Sequence, residues 1–447
     1  MTIDQSTPSL RRRSPSSSPQ NRESPALPDE EVTARAKTSA KLYGVVTPNP
    51  AAVKAALSPN IHPYLTQPDL LVLDNLFRDV HDGNRGKSST TDPKLSPETI
   101  EALADDTNIN TNHDAASITR LKALNNPNDA AFQPTVFVTW DAKDIPEPLN
   151  HYIIRPYARL AMQIVRHPTD VVFLTHLLLY STVNLGSAMY MMFYHFTYLH
   201  GVAHAVYTLW CAGSFTLMMH NHIHNNGPDD LSTTIRYQRD DVFHFLHYIG
   251  RFLLLIWAEL PLYFYRKGKP NLALRALVSE LASYAFLYYM TALNPRAATF
   301  AFLIPFVQMR IGLMIGNWGQ HALVDELEPD SDFRSSITLV DVPSNRFCFN
   351  DGYHTAHHLN PLRHWREQPV HFLQSKEAYR DGRALVFHNI DYLMLTFTLL
   401  RKDYLHLADC LVPMGEQIGM SREEVAEMLR SKTRKFSEEE IRVKFRS

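Results

Sequence analysis

The sequence predicts an all-α integral membrane helical bundle, with a metal site held in a cytosolic helical cap. Two observations carry this prediction. Residues 171–228 contain no Asp, Glu, Lys or Arg, and a membrane-spanning helix needs about 20 mainly apolar residues. Histidines cluster next to the apolar segments, most densely at His354, His357 and His358. On a helix these offsets put three imidazoles on one face, which suits a transition metal.

The composition excludes several other classes of protein. The chain has 447 residues and a formal net charge of −2, without the excess of basic residues typical of a nucleic-acid binder. We therefore expect no nucleic-acid partner. Cys211, Cys348 and Cys410 are too few and too scattered for a disulfide framework or a cysteine-based zinc site. We expect no cleavable signal peptide, because the first long apolar segment begins far inside the chain.

The first 150 residues are expected to lie outside the membrane. Residues 1–40 are rich in Ser, Pro and Arg and predict a disordered tail, because such a composition cannot bury a core. Residues 41–150 mix short apolar runs with loop signals and predict a cytosolic N-terminal region. Arg155, Arg159 and Arg166 then precede the first long apolar run, which is typical of a membrane-surface helix on the cytosolic side.

Residues 151–365 form the predicted membrane domain, with about four transmembrane helices in two hairpins. The uncharged run allows two crossings with a turn near residues 195–201, and a second hairpin is predicted at 272–293 and 297–316. The apolar segment 249–265 contains Arg251, Glu259 and Pro261, so we interpret it as interfacial or re-entrant. A crossing there would place the histidine clusters on opposite sides of the membrane.

Four crossings leave both termini in the cytosol. Residues 366–447 are then a cytosolic C-terminal helical region. Within it, residues 392–400 are apolar but too short to span comfortably. We expect this segment to pack against the cap or the membrane surface.

Four histidine-bearing clusters supply the candidate metal ligands, each at the cytosolic end of a predicted span or just beyond it. They offer eight imidazoles and one amide oxygen, more than one ion can bind and enough for two octahedral ions. His222 lies about 200° round the helix from His220, so we expect it to face elsewhere. The predicted ligands are His220, His224, His244, His247, Asn317, His321, His354, His357 and His358.

This ordered set resembles the histidine boxes of the membrane-bound fatty acid desaturase and hydroxylase superfamily. The resemblance covers about residues 150–365. The first and last boxes are similar to that family's HxxxH and HxxHH, and an Asn and a His between them are similar to the extra pair of the acyl-CoA desaturases. The motifs are His220-x-x-x-His224, His354-x-x-His357-His358 and Asn317-x-x-x-His321.

The second box departs from the family pattern. It reads His244-x-x-His247-Tyr248, where the family usually has a further histidine in place of the tyrosine. One ligand is therefore missing at Tyr248. His222, a nearby aspartate or a water molecule are the candidates to replace it.

The resemblance implies an oxidoreductase, most simply a fatty acyl desaturase, with two iron ions and O2 as co-substrate. It implies a lipid or acyl substrate in an apolar tunnel, and a separate electron donor such as cytochrome b5 or a ferredoxin. In a eukaryote the protein would lie in the endoplasmic reticulum membrane. A fused cytochrome b5 domain is not expected, because the sequence has no His-Pro-Gly-Gly motif.

Carboxylates are expected to orient the imidazoles through their second nitrogen. Iron supplies the oxidant that an unactivated C–H bond requires, and the protein contributes placement and electrostatics. For each candidate carboxylate, a plain surface position is the competing interpretation. The candidates are Asp229, Asp230, Asp240, Asp241, Asp325, Glu326 and Asp351.

Three alternatives stay open at this point. A di-iron hydroxylase shares the first hydrogen abstraction with a desaturase, and the boxes do not separate the two. A zinc-dependent membrane hydrolase uses fewer histidines to activate water. A non-enzymatic scaffold is favoured only by the departure at Tyr248.

Overall fold

A computed structural model describes residues 66–89, 114–140, 145–220, 227–340 and 342–445. The predicted disordered tail, residues 1–40, lies outside these ranges. The first histidine box does too: His220 ends a helix whose last five side chains are not described, and His222 and His224 fall between the described ranges.

Helices dominate the described chain, which confirms the predicted all-α class. Eight of them precede the metal site in sequence, and π-turns interrupt the third, fourth and eighth. These are α1 (Gln67–Ser89), α2 (114–125), α3 (147–164), α4 (Pro168–Phe193), α5 (Tyr198–His220), α6 (Val242–Arg266), α7 (Pro270–Leu293) and α8 (Pro295–Gln320).

The C-terminal part folds into a cap of short helices around two parallel strands, with Ile337 opposite Leu385. Every residue of both strands is buried. The elements are α9 (Asp332–Ser335), β1 (Ile337–Leu339), α10 (Pro343–Phe347), α11 (His354–Leu359), α12 (Gln368–Gln374), α13 (Lys376–Asp381), β2 (Leu385–Phe387), α14 (Tyr392–Leu400), α15 (Tyr404–Cys410), α16 (Arg422–Ser431) and α17 (Glu438–Lys444).

Four of the described helices are long and apolar enough to cross a membrane: α4, α6, α7 and α8. The number agrees with the prediction, but the set does not, since it includes α6 and omits α5. Large apolar side chains stand exposed on these helices and on α5, including Leu199 (83% exposed), Phe243 (80%) and Tyr288 (80%). Exposed apolar surface of this extent is typical of a membrane-contacting face.

The first predicted hairpin is present. Helix α4 ends at Phe193 and α5 begins at Tyr198, close to the predicted turn. At mid-length, Thr208 on α5 donates to Asn184 Oδ1 on α4 at 2.6 Å. At the turn, Asn294 donates to the Met192 carbonyl oxygen at 3.2 Å, so the junction of α7 and α8 lies at this same end of the bundle.

Helices α7 and α8 run antiparallel from that junction. Arg310 on α8 pairs with Glu280 on α7 at 2.7 Å, and the rings of Phe286 and Phe302 lie 5.1 Å apart. In each pair, the two residues are separated from the junction of α7 and α8 by nearly the same number of residues. The start of α7 therefore lies at the same end of the bundle as His321, which follows α8.

Helix α6 has both its ends near that end of the bundle. Near its start, the ring of Tyr248 lies 5.0 Å from that of Trp318 at the end of α8. At its C-terminus, Lys267 pairs with Asp229 at 2.5 Å. Asp229 lies three residues before Ser232, and the carbonyl oxygen of Ser232 accepts a hydrogen bond from Tyr248 near the start of α6. These contacts direct α6 across the end of the bundle, although its length and composition alone would allow it to cross.

The segment 249–265, which we expected to be interfacial or re-entrant, lies within one continuous 25-residue helix. Arg251 bonds Glu259 at 2.9 Å along this helix, and Pro261 lies inside it. An ion pair lowers the cost of placing both charges beside apolar surface. The chain does not turn back within α6, and the interfacial placement stays a prediction.

The cap packs directly on the end of α8. Thr396 on α14 donates to the Ile315 carbonyl oxygen at 3.2 Å. At Gly319 a Cβ atom would lie 2.8 Å from Thr396 Oγ1 and 2.9 Å from the Tyr392 carbonyl oxygen, so only glycine permits this approach. Leu395 and Leu399 of α14 also share one buried cluster with Ile337 and Leu385 of the two strands, which agrees with the expectation that 392–400 packs against the cap or the membrane surface.

Candidate metal centre

Three imidazoles from two separate parts of the chain meet beyond the end of α8. His321 directly follows α8, whereas His354 and His358 lie one turn apart on α11. His354 Nε2 lies 3.1 Å from His321 Nε2 and 3.1 Å from His358 Nε2. Among the residues that the structure describes, these three form the one group of His, Cys, Asp or Glu side chains close enough to hold a metal ion.

Carboxylates contact the outer nitrogens of two of these rings. Asp332 Oδ1 lies 3.0 Å from His358 Nδ1, and Asp351 Oδ1 lies 3.6 Å from His354 Nδ1. Asp332 is close enough to accept the proton of His358 Nδ1, which leaves Nε2 of His358 to present its lone pair to the cluster. Asp351 lies beyond hydrogen-bond distance, and its negative charge faces the ring of His354.

The donor set fits a first-row transition metal. All three ligand atoms are imidazole nitrogens, which suit Fe, Zn, Cu and Ni. His321 and His354 are almost fully buried, so their interactions are screened little by water. The residues present therefore fit one metal ion at this point.

The turn before α11 sets the position of Asp351. Phe349 and Asn350 both adopt left-handed backbone conformations, with φ of 53° and 57°, which is uncommon for residues other than glycine. Such conformations cluster at functional sites. They reverse the chain so that Asp351 lies beside His354 on the following helix.

Two further side chains hold Asp351. Gln320 Nε2 donates to its second carboxylate oxygen, and the Tyr392 hydroxyl donates to its carbonyl oxygen. Burial, and then the charge of Asp351, raise the pKa of Tyr392 well above its usual value, so the phenol keeps its proton. Gln320 directly precedes His321, so this contact links the two parts of the chain that carry the cluster.

Most of the carboxylates predicted to orient the rings have other partners. Asp325 pairs with Lys432 and Glu326 with Arg434, each at 2.6 Å. Of the seven candidates, Asp351 lies beside the ring of His354, and Asp241 accepts from the backbone N–H of His244 at 2.8 Å. Asp332 and Gln320 were not predicted, because nothing in their local sequence indicates that the fold brings them to the histidines.

The loop 232–240, which we call the clamp loop, wraps the end of α8. Thr234 donates to the His321 carbonyl oxygen at 2.5 Å, and Trp318 Nε1 donates to the Arg239 carbonyl oxygen at 3.1 Å. The Arg239 guanidinium in turn donates to the Ala322 carbonyl oxygen at 2.9 Å. These bonds fix the backbone on both sides of His321.

The C-terminal tail, residues 432–445, closes over the clamp loop. Arg239 is fully buried and also donates to the carbonyl oxygens of Lys432 (2.9 Å) and Arg434 (2.5 Å). Burial, and then the charge of Arg434, lower the pKa of Arg239 to about 9, so it remains charged at neutral pH. Lys432 reaches back to Asp325. The tail therefore helps to hold the loop that positions His321.

The second histidine box lies on the first turns of α6. His244 is half-buried and His247 is exposed, and the described residues do not bring either one into the three-histidine cluster. Tyr248 is buried, and its hydroxyl contacts Asn317 Nδ2 at 2.5 Å. Asn317 also donates to the Ser232 carbonyl oxygen at 2.9 Å.

The remaining predicted ligand of the last box lies beside the cluster. The ring of His357 is 5.8 Å from that of His354 and 6.2 Å from that of His358. Further along the chain, His364 donates from Nε2 to Asp170 at 2.7 Å. Burial, and then the charge of Arg363, lower the pKa of His371 to about 4, so His371 is neutral at pH 7.

Replacing Asp332 with asparagine is expected to lower metal affinity and turnover by about 10- to 100-fold, the usual effect of losing a carboxylate behind a histidine ligand. Metal titration of the purified variant measures this. Asp381→Asn is the control, because Asp381 lies on the surface and pairs with the exposed Arg380. Equal metal affinity in both variants would show that Asp332 does not orient His358.

The comparison with protein families agrees with this geometry. Residues 175–389 match the family described as fatty acid desaturase. This range contains α5 to α8, the clamp loop and all three clustered histidines. No curated protein and no solved structure matches the chain at a significant level. Residues 175–389, just under half of the chain, are therefore similar to a family of membrane oxidoreductases, the fatty acid desaturases.

Proposed function

We propose that the protein is an O2-dependent di-iron oxidoreductase of the membrane, which acts on a C–H bond of a lipid or lipid-like substrate. A fatty acyl desaturase is the favoured form, and a di-iron hydroxylase is the alternative within the same chemistry. The single observation that carries the proposal is the buried cluster of His321, His354 and His358 at one end of an apolar helix bundle, within the matched family range.

The reaction requires atoms and electrons from outside the chain. Desaturation converts a –CH2–CH2– unit, O2, two electrons and two protons into –CH=CH– and two water molecules. Iron, when bound, supplies the oxygen activation that side chains cannot provide. A separate electron donor such as cytochrome b5 or a ferredoxin would deliver the electrons.

The residues have distinct roles in this proposal. His321, His354 and His358 would hold one ion. The second ion would draw on predicted ligands outside that cluster, namely His220, His224, His247, Asn317 and His357. Asp332 would keep the Nδ1 proton of His358 in place and thereby direct Nε2 toward the metal, while the charge of Asp351 would stabilise a cation bound beside His354.

The proposed topology places the cluster at one membrane surface. We propose that α4, α5, α7 and α8 cross the bilayer and that α6 lies along its surface. The antiparallel contact of α7 and α8 and the contacts at both ends of α6 support this arrangement. Both termini are proposed to lie on the cytosolic side, in the endoplasmic reticulum if the cell is eukaryotic.

A zinc-dependent hydrolase is the second candidate function. The observation that favours it is the cluster itself, since three histidines are sufficient ligands for a catalytic zinc ion. Such an enzyme would bind one zinc and would use no electrons.

Metal analysis with oxygen uptake separates these functions. The purified protein is expected to carry about two irons per chain, and to consume O2 when supplied with reductant and acyl lipid. Lipid profiles of cells with and without the gene would then show which acyl chains change. One zinc per chain, without oxygen uptake, would refute the proposed function and support the hydrolase.

A further inference from the structure

We propose that His244 and Tyr248 of the second histidine box are positioning residues for the clamp loop, and that neither binds metal. The inference rests on the proposed function, in which histidines of this chain bind iron. It departs from the expectation that His244 is a metal ligand. His247 remains the one imidazole of this box available to an ion.

The first observation is the bond that His244 already makes. The backbone N–H of Gln238 donates to His244 Nδ1 at 2.7 Å. A nitrogen that accepts carries no proton, so the proton of the neutral ring lies on Nε2. Both nitrogens are then unsuitable for a metal, since one lone pair accepts from the backbone and the other nitrogen is protonated. The arrangement is the reverse of that at His358, where Asp332 faces Nδ1.

The second observation is the bond pattern of Tyr248, which stands where the family usually has a histidine. Its hydroxyl donates to the Ser232 carbonyl oxygen at 3.0 Å and accepts from Asn317 Nδ2 at 2.5 Å. The phenol is buried against Trp318 and Tyr237, with ring centroids 5.0 and 5.5 Å away. The hydroxyl is therefore used in holding the clamp loop against α8.

Together the two residues anchor the clamp loop at Ser232 and at Gln238. Between these points lie Thr234, which bonds the His321 carbonyl oxygen, and the loop residues that enclose the end of α8. Displacing either anchor would move the backbone that fixes His321. The box would then affect the three-histidine cluster through the loop, without touching a metal.

Two matched variants of His244 separate the positioning role from a ligand role. In His244→Asn the side-chain oxygen takes the place of Nδ1, whereas in His244→Gln the amide reaches the place of Nε2. The positioning role predicts that the His244→Asn variant keeps the wild-type iron content, iron Mössbauer spectrum and thermal midpoint. It also predicts that the His244→Gln variant has a lower iron content and a lower thermal midpoint. A ligand role predicts that Gln retains more iron than Asn.

The test has defined outcomes, with the full-length protein purified in detergent and His358→Ala as the iron-loss reference. Loss of iron in His244→Asn equal to that in His358→Ala would overturn the inference. Tyr248→His is expected to leave iron content no higher than in wild type, and a gain of iron would also overturn it. If the wild type itself holds no iron, the proposed function fails, and the thermal midpoints alone test the inference. A higher midpoint for His244→Asn than for His244→Gln supports it, and a higher midpoint for His244→Gln overturns it.

Discussion

Replacing His354 or His358 with alanine is expected to remove bound metal and abolish turnover while leaving the protein in the membrane. Each imidazole supplies one of three nitrogens that lie within 4.8 Å of one another, so its loss leaves two. The effect should exceed the 10- to 100-fold loss typical of residues that only support a ligand. Iron content per chain and oxygen uptake measure the effect.

His406→Ala is the matched control. His406 lies on the exposed side of α15, away from the cluster, and this substitution should change neither iron content nor turnover. Retained turnover in His354→Ala or His358→Ala, with a control that behaves as wild type, would contradict the ligand assignment of α11.

Replacing Arg239 with methionine is expected to destabilise the cap by at least about 3 kcal/mol, because buried polar groups lose their partners. Its guanidinium donates to six backbone carbonyl oxygens, from the clamp loop, from Ala322 and from the C-terminal tail. Methionine fills part of the space but bonds none of them. We expect a lower thermal midpoint and a loss of iron, since the clamp loop also fixes His321.

Arg422→Met provides the comparison for Arg239→Met. Arg422 pairs with Asp409 at 2.5 Å, but both side chains are more than a third exposed, and such surface pairs typically contribute about 0–1 kcal/mol. Equal thermal midpoints for the two variants, measured in the same detergent, would show that Arg239 does not hold the tail on the clamp loop.

The sequence predicts best those features that depend on local pattern. The uncharged run 171–228 predicts the hairpin of α4 and α5, because a long apolar segment has few alternatives to membrane helices. The spacing of His354 and His358 predicts that both side chains lie on one face of a helix, because the offset of four residues matches one turn. The family of the matched range was also readable from the order of the boxes.

Features that depend on contacts distant in sequence were not predicted. Asp332 reaches His358 across 26 positions, and nothing in its neighbourhood distinguishes it from Asp325, which bonds the tail instead. The bond to His244 Nδ1 comes from a backbone N–H group, a donor that every residue except proline carries. The pairing of Arg251 with Glu259 along α6 is likewise a side-chain contact that hydropathy does not detect.

Anomalous diffraction at the iron edge, from crystals of the iron-loaded protein, tests the metal assignment most directly. We expect a strong anomalous peak bounded by the Nε2 atoms of His321, His354 and His358. Iron that lies elsewhere in catalytically active crystals, with these three nitrogens bonded only to protein groups, would contradict it.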